Sequence, residues 1–444
     1  LIVLVSDLHL TDGASGTTVE PGAFALFARL IGEMARHASH RRGRFQPLRE
    51  GLDLILLGDT LDLLRSTAWP VRGPGRASVP RPWDPPDGVA HLVGSAVDRI
   101  LARNEEALAI LRRLGQEGAS FHEGERTYHV PVRITYFVGN HDWPLRLPGP
   151  VYEAIRWRVT SALGLANPAG PFPHTASEAD PNLAARLRAH RLVVRHGDVH
   201  DPDSYDGERN RSAIADGVVI ELLNRLAPAV QEALGLDGRD PLLRALDEMD
   251  NVRPFAMIPF WVLGTIRRLE LEGKHAGKVV ADVWSRLCEQ FFALDFVRQW
   301  DRRWQWDPVD RLQLKFGLLK RFIDRRAVRF VAGRLLPLLG DDYSGFAHHA
   351  LAEPEIASGE ADYVAYGHTH FHEVRPLAVG PGKRGRRQFY FNTGTWRPFY
   401  RRTVAHPERL EFLAYHTFSV LTFYQGDERA GRGFEVWNGA LSGP

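Results

Sequence analysis

The chain has 444 residues, of which 44% are hydrophobic and 25% charged, and Lys plus Arg exceed Asp plus Glu by only 56 to 54. That balance excludes a disordered chain and gives no global argument for nucleic-acid binding. The one cysteine, Cys288, excludes an internal disulfide and a thiolate-built zinc site, and it points to a reducing, cytoplasmic compartment.

The first element is the apolar run Leu1 to Val5, which has no basic flank or cleavage site of a signal peptide; without an initiating Met it leaves room for an upstream segment. Like it, Leu54 to Leu57, Ile134 to Val138, Leu192 to Val194 and Tyr363 to Tyr366 read as short buried strands, and each stops just before Asp, Asn, His or Gly. Functional residues of open α/β sheets lie just beyond the carboxyl ends of strands, so five such endings predict one shared site. Helical periodicity lies between the strands, at Phe24, Phe27, Leu30, Ile31 and Met34 and again from Val89 to Leu114. Residues 66–88 hold six prolines and predict a surface loop, pinned by Trp69 and Trp83.

From about Asn210 to Gly340 the pattern is helical, with apolar positions at Ile214, Val218, Leu222 and Leu226, then Val279, Val283, Leu287 and Phe291, then Leu314, Leu318 and Phe322. Its most apolar stretch, Pro254 to Ile266, is too short to span a bilayer. After His370 the chain turns to strands at Val374 to Val379, Gln388 to Asn392, Phe412 to Tyr424 and Phe434 to Trp437. The expected organisation is an α/β core in two parts, residues 1–209 and 346–444, interrupted by an all-helical insertion at 210–345.

The strand ends carry Ser6-Asp7-Leu8-His9, Gly58-Asp59-Thr60-Leu61-Asp62, Gly139-Asn140-His141-Asp142, His196-Gly197-Asp198 and Gly367-His368-Thr369-His370. On an extended segment Asp7 and His9 would share one face, and Asp59 has two oxygens with which to bridge two cations. Each motif alone is common by chance, whereas all five in order at strand ends are specific.

This series resembles the calcineurin-like metallophosphoesterases. The resemblance implies a four-layer αββα sandwich and a binuclear metal-dependent hydrolase of a phosphodiester or pyrophosphate bond, with a metal-bridging hydroxide as nucleophile. It assigns Asp7, His9, Asp59 and His370 to one ion and Asp59, Asn140, His196 and His368 to the other. Nitrogen and oxygen donors without thiolate suit two divalent transition-metal ions, Mn2+ first and Fe, Ni or Zn after it. His141 would face the substrate and stabilise or protonate it, with Asp142 orienting that imidazole, while Asp62 and Asp198 would hold ligands and loops in place.

The insertion begins at Asp206-Gly207-Glu208-Arg209-Asn210-Arg211, close after His196, so it could cover the site as a lid. In outline it is similar to the helical lid of the UDP-diacylglucosamine pyrophosphohydrolases, which makes Arg209 and Arg211 candidate contacts to a nucleotide-linked or lipid-linked substrate. The insertion here is much longer. Arg397, after Asn392-Thr393-Gly394-Thr395-Trp396, is a third candidate contact. His200, His348, His349 and His372 read as neighbours or packing residues, and Lys383, Arg384, Arg386 and Arg387 as a solvated hairpin. The aromatic residues Phe255, Met257, Phe260, Trp261, Phe291, Phe292, Phe296, Trp300, Trp304 and Trp306 read as a helical core, with an acyl groove or peripheral membrane contact as the sharper alternative. A nuclease using Arg325, Arg326, Arg329 and Arg334 as its nucleic-acid surface shares the same metal ligands, and a metal-bound interaction protein is a further alternative.

Overall fold

The computed structural model describes residues 1–13, 16–69, 79–252, 257–271, 276–301, 307–323, 344–379, 387–405 and 409–441. Its strands are β1 (Ile2–Val5), β2 (His40–Arg41), β3 (Arg44–Phe45), β4 (Leu52–Leu57), β5 (Ala119–Glu123), β6 (Arg126–Val130), β7 (Val132–Phe137), β8 (Leu192–Val194), β9 (Tyr363–Tyr366), β10 (Glu373–Val379), β11 (Arg387–Asn392), β12 (Pro398–Arg402), β13 (Phe412–Phe423) and β14 (Phe434–Leu441). The fold is mixed α/β. One sheet runs β12-β13-β1-β4-β7 with β14 also on β13, and a second runs β10-β11-β9-β8.

Within these sheets β1, β4 and β7 are parallel, as are β8, β9 and β11, so two sets of carboxyl ends are available for one site. The five strands expected from short apolar runs are all present, displaced by at most two residues. Their hydrophobicity is continuous because β1 and β4 are buried at every position, one set of side chains facing helices and the other facing the second sheet. Ile2, Leu4, Ile55 and Leu57 from the first sheet share an apolar cluster with Leu192, Val194, Ala365 and Phe391 from the second. On the other face, Val3, Val5, Leu54 and Leu56 pack with Phe24, Phe27, Ile31 and Met34 of the helix Pro21–Ala38. Val364, Tyr366 and Tyr390 of the second sheet pack with Ala347, Ala350 and Ile356 from two helices near its carboxyl part.

The periodicity across Val89 to Leu114 belongs to two helices, Pro86–Arg103 and Glu105–Glu117. Asn104 separates them, its amide donating to the carbonyls of Ile100 and Thr11 at 2.7 and 2.8 Å, a local bond that competes with a continuous helix. The hairpins β2-β3 and β5-β6 and the strand β12 escape the sequence reading, the first because its turn, Arg42-Gly43, lies between runs of only two residues.

From residue 214 to 323 the described elements are helical, among them Asn224–Leu234, Ile258–Leu271, Gly277–Phe292 and Pro308–Ile323. They have a separate apolar cluster that includes Leu226, Val230, Phe260, Trp261, Trp284 and Phe291. Most of the described aromatic residues of this region are therefore packing residues. Leu314, expected to point inward, is 55% exposed; Val309 and Leu312 face the cluster instead. The side chains of Leu318 and Phe322, and the whole of Phe255, Trp304 and Trp306, lie outside the described residues.

The proline-rich loop is only partly described: Pro85 to Gly88 are exposed, while Arg81 and Trp83 turn inward, Trp83 pinning the loop as expected. Arg81 is 1% exposed and its Nε donates to Glu221 at 2.7 Å, while Trp83 stacks on Phe296 with ring centres 4.3 Å apart. The loop is drawn inward because a buried ion pair and a stacked aromatic tie it to the helical region. Trp69 is buried as expected, donating from its Nε1 to the Leu63 carbonyl at 2.8 Å. Among the described residues no helix is long and apolar enough to cross a membrane.

Candidate metal centre

Asp7 follows β1, Asp59 follows β4, Asn140 follows β7, His196 follows β8 and His368 follows β9, so the carboxyl ends of parallel strands from both sheets deliver the candidate donors. Backbone bonds fasten the loops: Asp7 N–H donates to the Gly58 carbonyl at 3.1 Å, His9 N–H to that of Asp59 at 2.9 Å, and His368 N–H to Asp7 Oδ2 at 3.0 Å. Asp7 and His9 do not meet by extended alternation. Their φ values are 52° and 42°, and Asp59, His368 and His370 are also left-handed at 50°, 68° and 58°. These turns fold consecutive donors inward at a strain of about 1–3 kcal/mol each.

Two groups result. In one, His9 Nε2 is 2.9 Å from His370 Nε2 and 3.8 Å from Asp7 Oδ1, and His370 Nε2 is 3.4 Å from the same Asp7 oxygen. In the other, His196 Nε2 is 3.1 Å from Asp59 Oδ2 and 3.2 Å from Asn140 Oδ1, which is 2.9 Å from His368 Nδ1. His9 Nε2 to Asp59 Oδ2, at 3.7 Å, joins the groups. Donors ~2.1 Å from one ion stand roughly 3.0 to 3.4 Å apart between octahedral and tetrahedral geometry, so most of these separations suit a shared cation, while His9 to Asp7 at 3.8 Å is wider.

The imidazoles are aimed from behind. His196 Nδ1 donates to the Leu57 carbonyl at 2.9 Å, which leaves Nε2 as the inward atom. His9 Nδ1 meets Asp62 Oδ2 at 3.0 Å, and His368 Nε2 meets Asp201 Oδ2 at 3.0 Å. Three glycines give the donors room: a Cβ on Gly58 would lie 2.3 Å from His196 Nδ1, one on Gly139 2.3 Å from Asp59 Oδ1, and one on Gly367 2.5 Å from Asp7 Oδ2.

The electrostatics attract a cation. Burial opposes the charge of Asp59, but His196, His141 and His9 hold its carboxyl well below the ordinary carboxylate range. Burial likewise opposes protonation of His196, yet Asp59 and Asp7 raise it well above an ordinary imidazole; His9 is raised in the same way by Asp62 and Asp7. A divalent ion would take the place of those protons.

His141 belongs to neither of these two groups; with His9 and Asp62 it forms a third cluster whose ligand atoms also lie within 4.8 Å of one another, and the carboxylate that orients it is Asp62, not Asp142. Its Nδ1 lies 2.7 Å from Asp62 Oδ1. Asp142 instead accepts from Thr60 N–H at 2.9 Å, Tyr136 O–H at 2.5 Å and Gly139 N–H at 2.6 Å, because it lies at 0% exposure beneath the loops. One Asp62 carboxylate thus serves both His9 and His141. Against the effect of burial, Asp62 and Asp59 push His141 up to about 9.

The three arginines differ. Arg209 lines a cavity beside Asn140 and donates to both Asp198 oxygens, at 2.9 and 2.7 Å. Arg211 lines the same cavity, half exposed and 3.5 Å from Asp206. Arg397 is 1% exposed and cannot present its guanidinium to a ligand in this arrangement; it lies 3.4 Å from Asp250 and 3.9 Å from Asp62. Asp250 also faces Arg65 Nε at 3.6 Å, and Arg65 donates to the Asp247 carbonyl at 2.6 Å. This buried pair of arginines joins the helical region to the carboxylate behind His9 and His141. Sequence reading missed Asp201, Arg65 and Asp250, since none stands in a motif; Asp201, five residues after His196, was the most accessible to it.

His200 is a neighbour, its Nε2 3.3 Å from Tyr366 O–H and its ring stacked on His349. His372 Nδ1 meets the Asn392 carbonyl at 3.1 Å, away from the donor groups. Arg325, Arg326, Arg329, Arg334, Lys383, Arg384 and Arg386 lie outside the described residues. No protein-family model matches this chain, and no curated protein matches it either.

Proposed function

We propose that this chain is a binuclear metal-dependent hydrolase of a phosphodiester or pyrophosphate bond, built as the four-layer αββα sandwich of the calcineurin-like metallophosphoesterases with the helical region as its lid. The observation that carries the reading is the pair of donor groups, Asp7 with His9 and His370, and Asp59 with His196 and His368, whose ligand atoms lie within 4.8 Å of one another in each group. Asp59, 3.7 Å from His9, brings them into one centre, and Asn140 adds a donor to the second group. Two divalent ions held there, Mn2+ first by donor chemistry, would acidify water and neutralise phosphate charge.

The chain's own residues do the rest. His141, 17% exposed at the edge of the centre, holds a proton on an imidazole fixed by Asp62 and donates it to the leaving oxygen. Asp62 keeps that ring and His9 in register. Asp142 holds Thr60 and Gly139, so the loops that carry Asp59 and Asn140 keep their spacing. Arg209 and Arg211 stand on the side of Asn140 where the remainder of a nucleotide-linked or lipid-linked substrate would lie.

The test is chelation followed by readdition of single metals, with metal content and hydrolysis of bis(4-nitrophenyl) phosphate measured together. Two ions per chain and recovery of activity, greatest with Mn2+, are expected. No second ion at saturating Mn2+, or full occupancy without hydrolysis, overturns the reading.

A further inference from the structure

The helix Pro308–Ile323 comes late in the helical region, yet it reaches back to the candidate centre. Arg311, in its first turn, donates from Nη2 to Asp203 Oδ1 at 2.6 Å, across 108 residues of sequence. Asp203 stands in the segment that follows His196, and the same segment carries Asp201, the carboxylate behind His368. Resting on the reading of a two-ion centre, we infer that Arg311 is a positioning residue for the ion assigned to Asp59, Asn140, His196 and His368, acting through Asp203 and Asp201.

The inner end of this path is a carboxylate that aims an imidazole. A carboxylate only accepts, so the 3.0 Å contact between His368 Nε2 and Asp201 Oδ2 makes Nε2 the donor. Nδ1, 2.9 Å from Asn140 Oδ1, is then the atom that faces the cation. Ser204 O–H donates to the same Asp201 oxygen at 3.0 Å, and Asp203 N–H donates to the other at 3.0 Å. The Asp201 carbonyl accepts from the N–H groups of Ser204 and Tyr205, both at 3.0 Å. These bonds close a turn in which a shift of Asp203 is passed to Asp201.

The outer end is fixed as well. Val309 and Leu312, on either side of Arg311, are buried in the apolar cluster of the helical region. Reciprocal bonds between Asp307 and Asp310, at 3.0 and 3.3 Å, close the first turn of the helix, so the guanidinium is presented from a rigid element. The helical region holds Asp203 a second time, its carbonyl accepting from Ala215 N–H at 3.0 Å. With side chains 28% and 20% exposed, the Arg311–Asp203 pair adds little to stability by itself, and its effect lies in where it holds the turn. His9 takes a different route, through Asp62 to Arg397 and Asp250, so the two ions are tied to the helical region separately.

The experiment titrates the chelated full chain with Mn2+ by calorimetry, with elemental analysis of the bound metal. Wild type should bind in two steps. Asp201→Ala identifies the step that depends on His368, which should weaken by about 10–100-fold, as loss of a carboxylate behind a ligating imidazole does. Arg311→Glu turns attraction at Asp203 into repulsion; it should weaken the same step by about tenfold and leave the other within about twofold. Adding Asp203→Arg to Arg311→Glu should restore that step to within about threefold of wild type, a rescue that general damage to the helical region does not give. Should Arg311→Glu fail to fold, Arg311→Met keeps the apolar stem without the charge and should weaken the step by about two- to fivefold. The inference is overturned if Asp201→Ala or the Arg311 variants bind both ions as wild type does, if both steps weaken equally, or if Asp203→Arg relieves none of the loss. Binding of fewer than two ions by wild type would instead remove the reading of the centre, and this inference with it.

Discussion

Asp62 makes the sharpest demand at the scale of single residues, because one carboxylate holds both His9, a proposed ligand, and His141, a proposed general acid. His141→Ala should keep both ions while kcat falls by about 100-fold or more, as loss of a general acid requires. Asp62→Ala should lower kcat and weaken metal binding together, since His9 loses its support; metal content and kcat measured on both variants separate the two outcomes. Proton release gives an independent check. Because His9 and His196 stand above the ordinary imidazole range, cation binding must displace protons, so Mn2+ affinity should fall as pH falls, with proton uptake by buffer seen in calorimetry. Binding independent of pH between 6 and 8 would contradict this. Asp216 provides a stability test of opposite character. Its folded value of about 7 is above the unfolded ~4, so the folded state binds more protons and loses stability as pH rises from about 4 to 7. Asp216→Asn removes that loss; its Tm relative to wild type should rise across this window and level above it.

Among the elements, the five strand ends were legible because each buried run stops at a polar motif, and the motif order carried all seven candidate ligands. The left-handed turns were not legible. Asp and His take positive φ only where surrounding structure imposes it, and here loop bonds such as Asp7 N–H to Gly58 do so. The choice of Asp62 over Asp142 as partner of His141 was equally hidden, since both stand in motifs and only the third dimension separates them. The glycines of those motifs are now explained: Gly139→Ala and Gly367→Ala should each lose metal because a methyl group would displace Asp59 or Asp7, and elemental analysis of folded protein measures it. The helical region was read as separate from the sheets. Its buried join through Asp250 to Arg65 and Arg397 depends on contacts more than 140 residues apart in sequence, which no periodicity records. Asp250→Ala should destabilise the protein by about 3 kcal/mol or more by leaving buried guanidinium charge, and denaturant unfolding tests that magnitude.

For the molecule as a whole, the centre is assembled from segments between Asp7 and His370, and it lies where both sheets meet. Mn2+ at saturating concentration should raise Tm, and chelation should lower it, since ions that bind only the folded chain stabilise it by mass action. The pairing of β1 with β13, Ile2 opposite Phe423, adds a consequence in time. Synthesis at about 5–20 residues per second separates the emergence of those two strands by roughly 20–80 s. During that interval Asp7 and His9 have left the ribosome while their strand lacks its antiparallel neighbour and His370 is absent or newly made. On the proposed reading, metal uptake would therefore be a late event of biogenesis, and the apolar strand β1 would stay open at one edge until β13 arrives.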